Sequence, residues 1–165
     1  MIQKRYPTRR RLPCSVLVVD DHDEVRGALR LVLEHFGFAV RDAASGLDAL
    51  ALAQASPPRI VLLDMVLPEI DGLLLARMLR ADPMTRHAAL VATSASPETR
   101  TEALNAGCDE FLVKPIEPLQ LVATVRAYAR RRPGYDLDPL DESGPSARPL
   151  SSQAHHHATS SISDK

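Results

Sequence analysis

The sequence predicts an α/β protein built on a five-stranded parallel sheet, doubly wound, with five helices. Two observations predict it. Between Ser15 and about Arg132, a short β-rich apolar run alternates with a helical stretch five times, the pattern of strands joined by helical crossovers. The breaks between these segments also carry residues that start and stop helices.

Taken in order, the strands are predicted at 15–20, 38–43, 59–64, 89–94 and 110–114, and the helices near 23–36, 46–55, 72–81, 97–106 and 117–131. The first strand runs Val16-Leu-Val-Val into Asp20-Asp21, and its helix stops before Gly37, where a left-handed residue is wanted. Ser45 follows the second strand as a candidate cap for the second helix. The third strand, Ile60-Val-Leu-Leu-Asp64, is the most apolar. Asp71 is a candidate cap for the third helix, which opens on Leu73-Leu74-Leu75. Three consecutive leucines cannot all face one core, and Leu74 is expected at the surface. Ser96-Pro97-Glu98 offers an N-cap, a proline at the first helical position and a first-turn acid to the fourth helix, which Gly107 closes. The fifth strand ends on Lys114-Pro115 and leads into the last helix.

The domain is thus expected over 14–132. Residues 1–13 hold Lys4, Arg5, Arg9, Arg10 and Arg11 without apolar periodicity, which reads as a solvated basic arm rather than a nucleic-acid contact. Residues 133–165 are rich in Pro, Ser, Asp and Gly and are expected to be disordered. Three adjacent histidines there, His155 to His157, read as a polar tract, too poorly preorganised for a metal. No output domain is expected in that stretch, so any effect would travel through another protein.

A formal net charge of −1 gives no general reason to expect nucleic acid or a membrane surface as partner. No apolar run approaches the roughly 18 residues of a membrane span, and the N-terminus lacks the apolar core of a secretory signal. Cys14 and Cys108 match no zinc or redox spacing and read as small core residues of a cytoplasmic protein.

Chemistry gathers at strand ends. In an open parallel sheet the carboxyl ends of the strands share one edge, where ligands bind. Asp20-Asp21, Asp64 and Lys114 would meet there. Two adjacent acids repel unless a cation screens them, and hard oxygens favour magnesium among the metals. His22 beside the pair reads as incidental rather than as a ligand. A lysine at the end of an apolar strand needs an anionic partner, and Ser94 at the fourth strand end offers a hydroxyl. The combination reads as phosphoryl chemistry.

Four segments carry a resemblance: Val18-Val-Asp-Asp21, Leu63-Asp-Met-Val-Leu-Pro-Glu-Ile-Asp-Gly72, Ser94-Ala95 and Ala106-Gly-Cys-Asp-Glu-Phe-Leu-Val-Lys-Pro115. In this order and near these spacings, the chain resembles the receiver domain of bacterial two-component response regulators over roughly residues 15–131. The resemblance implies a flavodoxin-like strand order 2-1-3-4-5. It implies Asp64 as phosphoacceptor, and Asp20 and Asp21 as the pair that places magnesium, Asp21 more directly. It also implies that the backbone carbonyl of Val66 completes the coordination, that Lys114 pairs with Asp64 and then with phosphoryl oxygens, and that Pro115 follows a cis peptide.

The hydroxyl position departs from the pattern. Counting forward from Asp64 selects Ser94; counting back from Lys114 finds the following loop two residues short, which leaves Thr93 as the fallback. Phe111 takes the place of the switch aromatic. The implied output face is the fourth helix, fifth strand and fifth helix. The implied partners are a sensor histidine kinase or phosphotransfer protein upstream, an unidentified protein downstream, and a second copy on phosphorylation. No turnover enzyme is implied. Two other readings stay open: a magnesium phosphatase using Asp64 as transient nucleophile, and a degenerate receiver serving as a scaffold. The first lacks a second acid where Met65 and Val66 stand; the second must explain an intact acidic set.

Overall fold

The computed structural model describes residues 13–131. The elements are β1 (Ser15–Val19), α1 (Asp23–His35), β2 (Ala39–Ala43), α2 (Gly46–Ala55), β3 (Ile60–Asp64), α3 (Gly72–Ala81), β4 (Ala89–Ser94), α4 (Arg100–Asn105), β5 (Glu110–Val113) and α5 (Pro118–Arg130). All strands are parallel, in the order β2-β1-β3-β4-β5. The chain steps from β1 outward to β2, then returns past β1 to β3 and continues the other way. That reversal opens a crevice at the carboxyl ends of β1 and β3.

Strand alternation divides the core in two. Leu17, Val19, Val61, Leu63, Leu90, Ala92 and Phe111 pack against residues of α2, α3 and α4, such as Ala53, Leu79 and Ala103. Val16, Val18, Ile60, Leu62, Val91 and Leu112 pack against Leu29 and Leu33 of α1 and Leu121 and Val125 of α5. A strand covered on both faces needs apolar residues at every position, which is why β3 reads as a continuous apolar run.

The helix signals are met at most boundaries. Ser45 Oγ accepts from Asp48 N at 3.1 Å, and Asp71 Oδ1 accepts from Leu74 N at 2.7 Å. Gly37 and Gly107 take φ of +85° and +105°, where a side chain would be strained. Of the three leucines, Leu75 is buried, Leu73 half-buried and Leu74 44% exposed.

The fourth helix differs from expectation. In place of one helix over 97–106, a 3₁₀ turn at Pro97–Thr99 precedes a short α4, and the Ser96 side chain caps nothing. Its carbonyl accepts from Thr99 N and Thr99 Oγ1, while its own N–H donates to Ser94 Oγ. The tight i→i+3 bond closes the turn. Two strands also end one residue early, at Val19 and Val113. Asp20 N still donates to Ala43 O and Lys114 N to Ser94 O, so only the outgoing half of each residue leaves the ladder. Expectations for the two flanks concern residues outside the described ones.

Candidate functional site

Asp20 follows the carboxyl end of β1, which lies between β2 and β3, and is 1% exposed. Its Oδ1 accepts from His22 N at 2.9 Å and its Oδ2 from Lys114 Nζ at 2.7 Å. Its carbonyl accepts from Arg26 Nη1 at 2.9 Å, one turn into α1. Arg26 also holds Asp42 Oδ2 through Nε at 3.1 Å and Asp23 through Nη2, which ties the end of β1 to β2 and α1. Nothing in the sequence pattern singled out Arg26. Asp23 is its neighbour one turn back on α1, but only packing brings it Asp42 of β2 and the Asp20 carbonyl.

Asp64, the last residue of β3, is 4% exposed. Oδ1 accepts from Val66 N at 3.1 Å, and Oδ2 accepts from Lys114 Nζ at 2.8 Å. Gly72 at the start of α3 lies against this backbone. A Cβ there would sit 2.3 Å from Asp64 O and 2.6 Å from Met65 Cα. The closeness lets Gly72 N donate to Met65 O at 3.1 Å and seats α3 directly under the Asp64 turn. The glycine after the Asp71 cap was the available signal.

Lys114 reaches the centre from β5, two strands away from β3, and its peptide bond to Pro115 is cis. Burial works against its charge, but hydrogen bonds to Asp20 and Asp64 outweigh that cost and hold its pKa above the ordinary lysine value. Asp21 is more exposed and faces the same space. His22 Nδ1 lies 2.8 Å from Asp21 Oδ1 and 3.4 Å from Asp20 Oδ1. Donor atoms of Asp20, Asp21, His22 and Asp64 all fall within 4.8 Å of one another. Three carboxylates thus gather where one ammonium pairs with two of them, an arrangement suited to a divalent cation. His22, expected to be incidental, brings its ring to the acids.

Ser94 and Thr93 are both buried at the end of β4. Ser94 continues the alternation of Leu90 and Ala92, the face that holds Phe111, whereas Thr93 continues Val91 on the other. The Ser94 hydroxyl accepts from Ser96 N at 3.1 Å rather than meeting Asp64 or Lys114. Phe111 is 3% exposed, with the Arg100 guanidinium 5.9 Å from its ring centroid. The side chain of Val66 is 71% exposed.

A 2-1-3-4-5 doubly wound sheet with an acidic cluster and a lysine at its carboxyl edge defines a receiver-type signalling module. Residues 16–126 match the family described as Response regulator receiver domain, and the chain belongs to it. It is therefore a receiver domain of a two-component response regulator, a family whose general role is to accept a phosphoryl group and whose partners are histidine kinases. Transcriptional regulatory protein SrrA of Staphylococcus aureus is 35% identical over 135 residues, covering 81% of this chain and 54% of that protein. The chain spans about half the length of the curated relatives it matches. Among solved structures, chemotaxis response regulator CheY4 of Vibrio cholerae superposes with a TM-score of 0.67 at 28% identity, covering 71% of this chain and 99% of that one. A CheY-like receiver domain from Methylobacillus flagellatus gives a TM-score of 0.66 at 30% identity, over 71% and 99% of the two chains. Among the described residues no helix is long and apolar enough to cross a membrane.

Proposed function

We propose that Asp64 is the phosphoacceptor of a histidine-to-aspartate relay. The observation that carries this reading is the Lys114 ammonium, held 2.8 Å from Asp64 Oδ2 and 2.7 Å from Asp20 Oδ2 at the carboxyl edge of the sheet. A carboxylate oxygen of Asp64 attacks the phosphorus of a phosphohistidine; the P–O bond forms as the P–N bond breaks, and the imidazole leaves and takes up a proton. Transfer of this kind asks for positioning and charge neutralisation. Lys114 is placed to pass from the Asp64 carboxylate to a phosphoryl oxygen.

The donor set fits magnesium: hard carboxylate oxygens carrying more negative charge than Lys114 cancels. Asp20, Asp21, Asp64 and the Val66 carbonyl would hold it, and when bound it would neutralise charge on the acceptor and phosphoryl oxygens. Ser94 is the hydroxyl drawn to the new phosphoryl group, because it shares a sheet face with Phe111; Thr93 is on the opposite face. The output face is α4, β5 and α5, read by a downstream protein or by a second copy. The domain works in the cytoplasm, where kinase and target meet it. It modifies itself and turns over no other substrate: Met65 is buried and Val66 apolar where a phosphatase of this type would place a second acid.

The test is incubation with Mg²⁺ and acetyl phosphate, followed by intact mass and hydroxylamine sensitivity. Wild type gains one phosphoryl group as a base-labile adduct, and Asp64→Asn gains none. An equal adduct in both proteins would place the acceptor elsewhere. No adduct in wild type would favour a scaffold.

A further inference from the structure

We propose that His22 is a fourth side-chain donor at the cation site, and that it shifts the preference of the site from Mg²⁺ toward a transition divalent ion such as Mn²⁺. The proposal rests on the receiver reading of Asp20, Asp21 and Asp64 as the acids that hold the cation. His22 Nδ1 lies 2.8 Å from Asp21 Oδ1 and 3.4 Å from Asp20 Oδ1, and all four donor atoms fall within 4.8 Å. The loop that carries it is fixed, since His22 N donates to Asp20 Oδ1 at 2.9 Å. The imidazole itself is 68% exposed, so an entering cation can reach it without displacing core.

The chemistry of the donors supplies the selectivity. Magnesium gives up its waters reluctantly and binds almost wholly through oxygen; Mn²⁺ also favours oxygen but, as the first member of the transition-ion affinity order, accepts a ring nitrogen more readily. Replacing one water by a ring nitrogen therefore helps Mn²⁺ more than Mg²⁺. Coordination uses the neutral ring, with its proton on Nε2 and its Nδ1 lone pair toward the cation. A bystander ring that only donates a hydrogen bond to Asp21 would support both ions alike.

The experiment uses the full chain with His155, His156 and His157 replaced by Ala, which removes the tail imidazoles as competing donors. Mn²⁺ binding is counted by electron paramagnetic resonance, and directly bound nitrogen is read from its ¹⁴N modulation of the spin echo. Mg²⁺ affinity is measured by competition. The expected result is ¹⁴N coupling that vanishes in His22→Gln, with Mn²⁺ affinity down about tenfold and Mg²⁺ affinity changed by less than about threefold. Bound Mn²⁺ that Asp21→Asn releases, but without ¹⁴N coupling, would overturn the proposal and leave the cation site standing. Binding that Asp21→Asn leaves unchanged would overturn the site assignment itself, and this proposal with it.

Discussion

At the amino-terminal edge of the sheet, Arg80 pairs with Asp109; at the carboxyl edge, Lys114 pairs with Asp20 and Asp64. The first cluster is closed. Arg80 Nη2 lies 2.6 Å from Asp109 Oδ2, Nε donates to Gly107 O at 2.8 Å, and Nη1 donates to Arg86 O and Ala88 O at 2.8 and 2.6 Å. Asp109 Oδ2 also accepts from Leu90 N at 2.8 Å. One positive charge meets one negative charge, and the remaining donors pin the loops before β4 and β5. At the other edge one ammonium pairs with Asp20 and Asp64, and a third carboxylate, Asp21, stands beside them. Charge pairing alone therefore does not mark a site. Surplus charge held in place does, because it stores a demand that a ligand can meet.

Removing Lys114 has the largest expected effect. Lys114→Met leaves the buried Asp20 and Asp64 uncompensated, and the expected loss in urea unfolding is about 3 kcal/mol, partly restored by millimolar Mg²⁺. A loss well under 1 kcal/mol (roughly the worth of an exposed pair) would show that the edge is wet enough to do without its lysine. Next come two matched neutralisations of opposite sign. Asp109→Asn loses the Arg80 pair and is expected to destabilise by about 1 kcal/mol. Asp21→Asn relieves repulsion among the site acids and is expected to stabilise the cation-free protein by about 0.5 kcal/mol. Equal signs in the two unfolding curves would abolish the distinction between the edges.

The smallest effect reads the closed edge through Cys108, which is next to Asp109. Burial pushes its thiol up to about 11, Arg80 working weakly the other way. A raised folded value means that the unfolded chain loses the proton first. Stability is therefore unaffected below about pH 9 and declines as pH rises from there toward 11. At pH 8, native protein should react with a disulfide reagent only as fast as it opens, and at once in urea. Prompt reaction of Cys108 in the native state would show that this edge is open.

Much of the site was legible because strand ends carry their own signature. Asp20, Asp64 and Lys114 are charges terminating apolar runs, a pattern that only an edge tolerates. Their neighbours were less legible for a definite reason. The role of Arg26 depends on Asp42 and the Asp20 carbonyl arriving from β2 and the end of β1, and the ring of His22 depends on the path of an irregular loop. Ser96 misled because its residue type fits a cap, while its N–H is taken by Ser94 Oγ and its carbonyl by a 3₁₀ turn. The choice between Ser94 and Thr93 stayed open in the sequence because counts from its two ends disagree. Alternation within β4, once its bounds were known, separates the faces of the two.

The alternation of strand and helix, the two-sided burial of the sheet and the residues that end its strands are all written in the sequence. These follow from local rules: a side-chain period of two in strands and capping chemistry at helix ends. The pairing of Lys114 with Asp64, 50 residues earlier, was expected; that the same ammonium also bonds Asp20, 94 residues earlier, came from the packed fold alone. That choice lies in the lateral order of the strands and in the long lysine stem, neither of which is a property of any short stretch of chain.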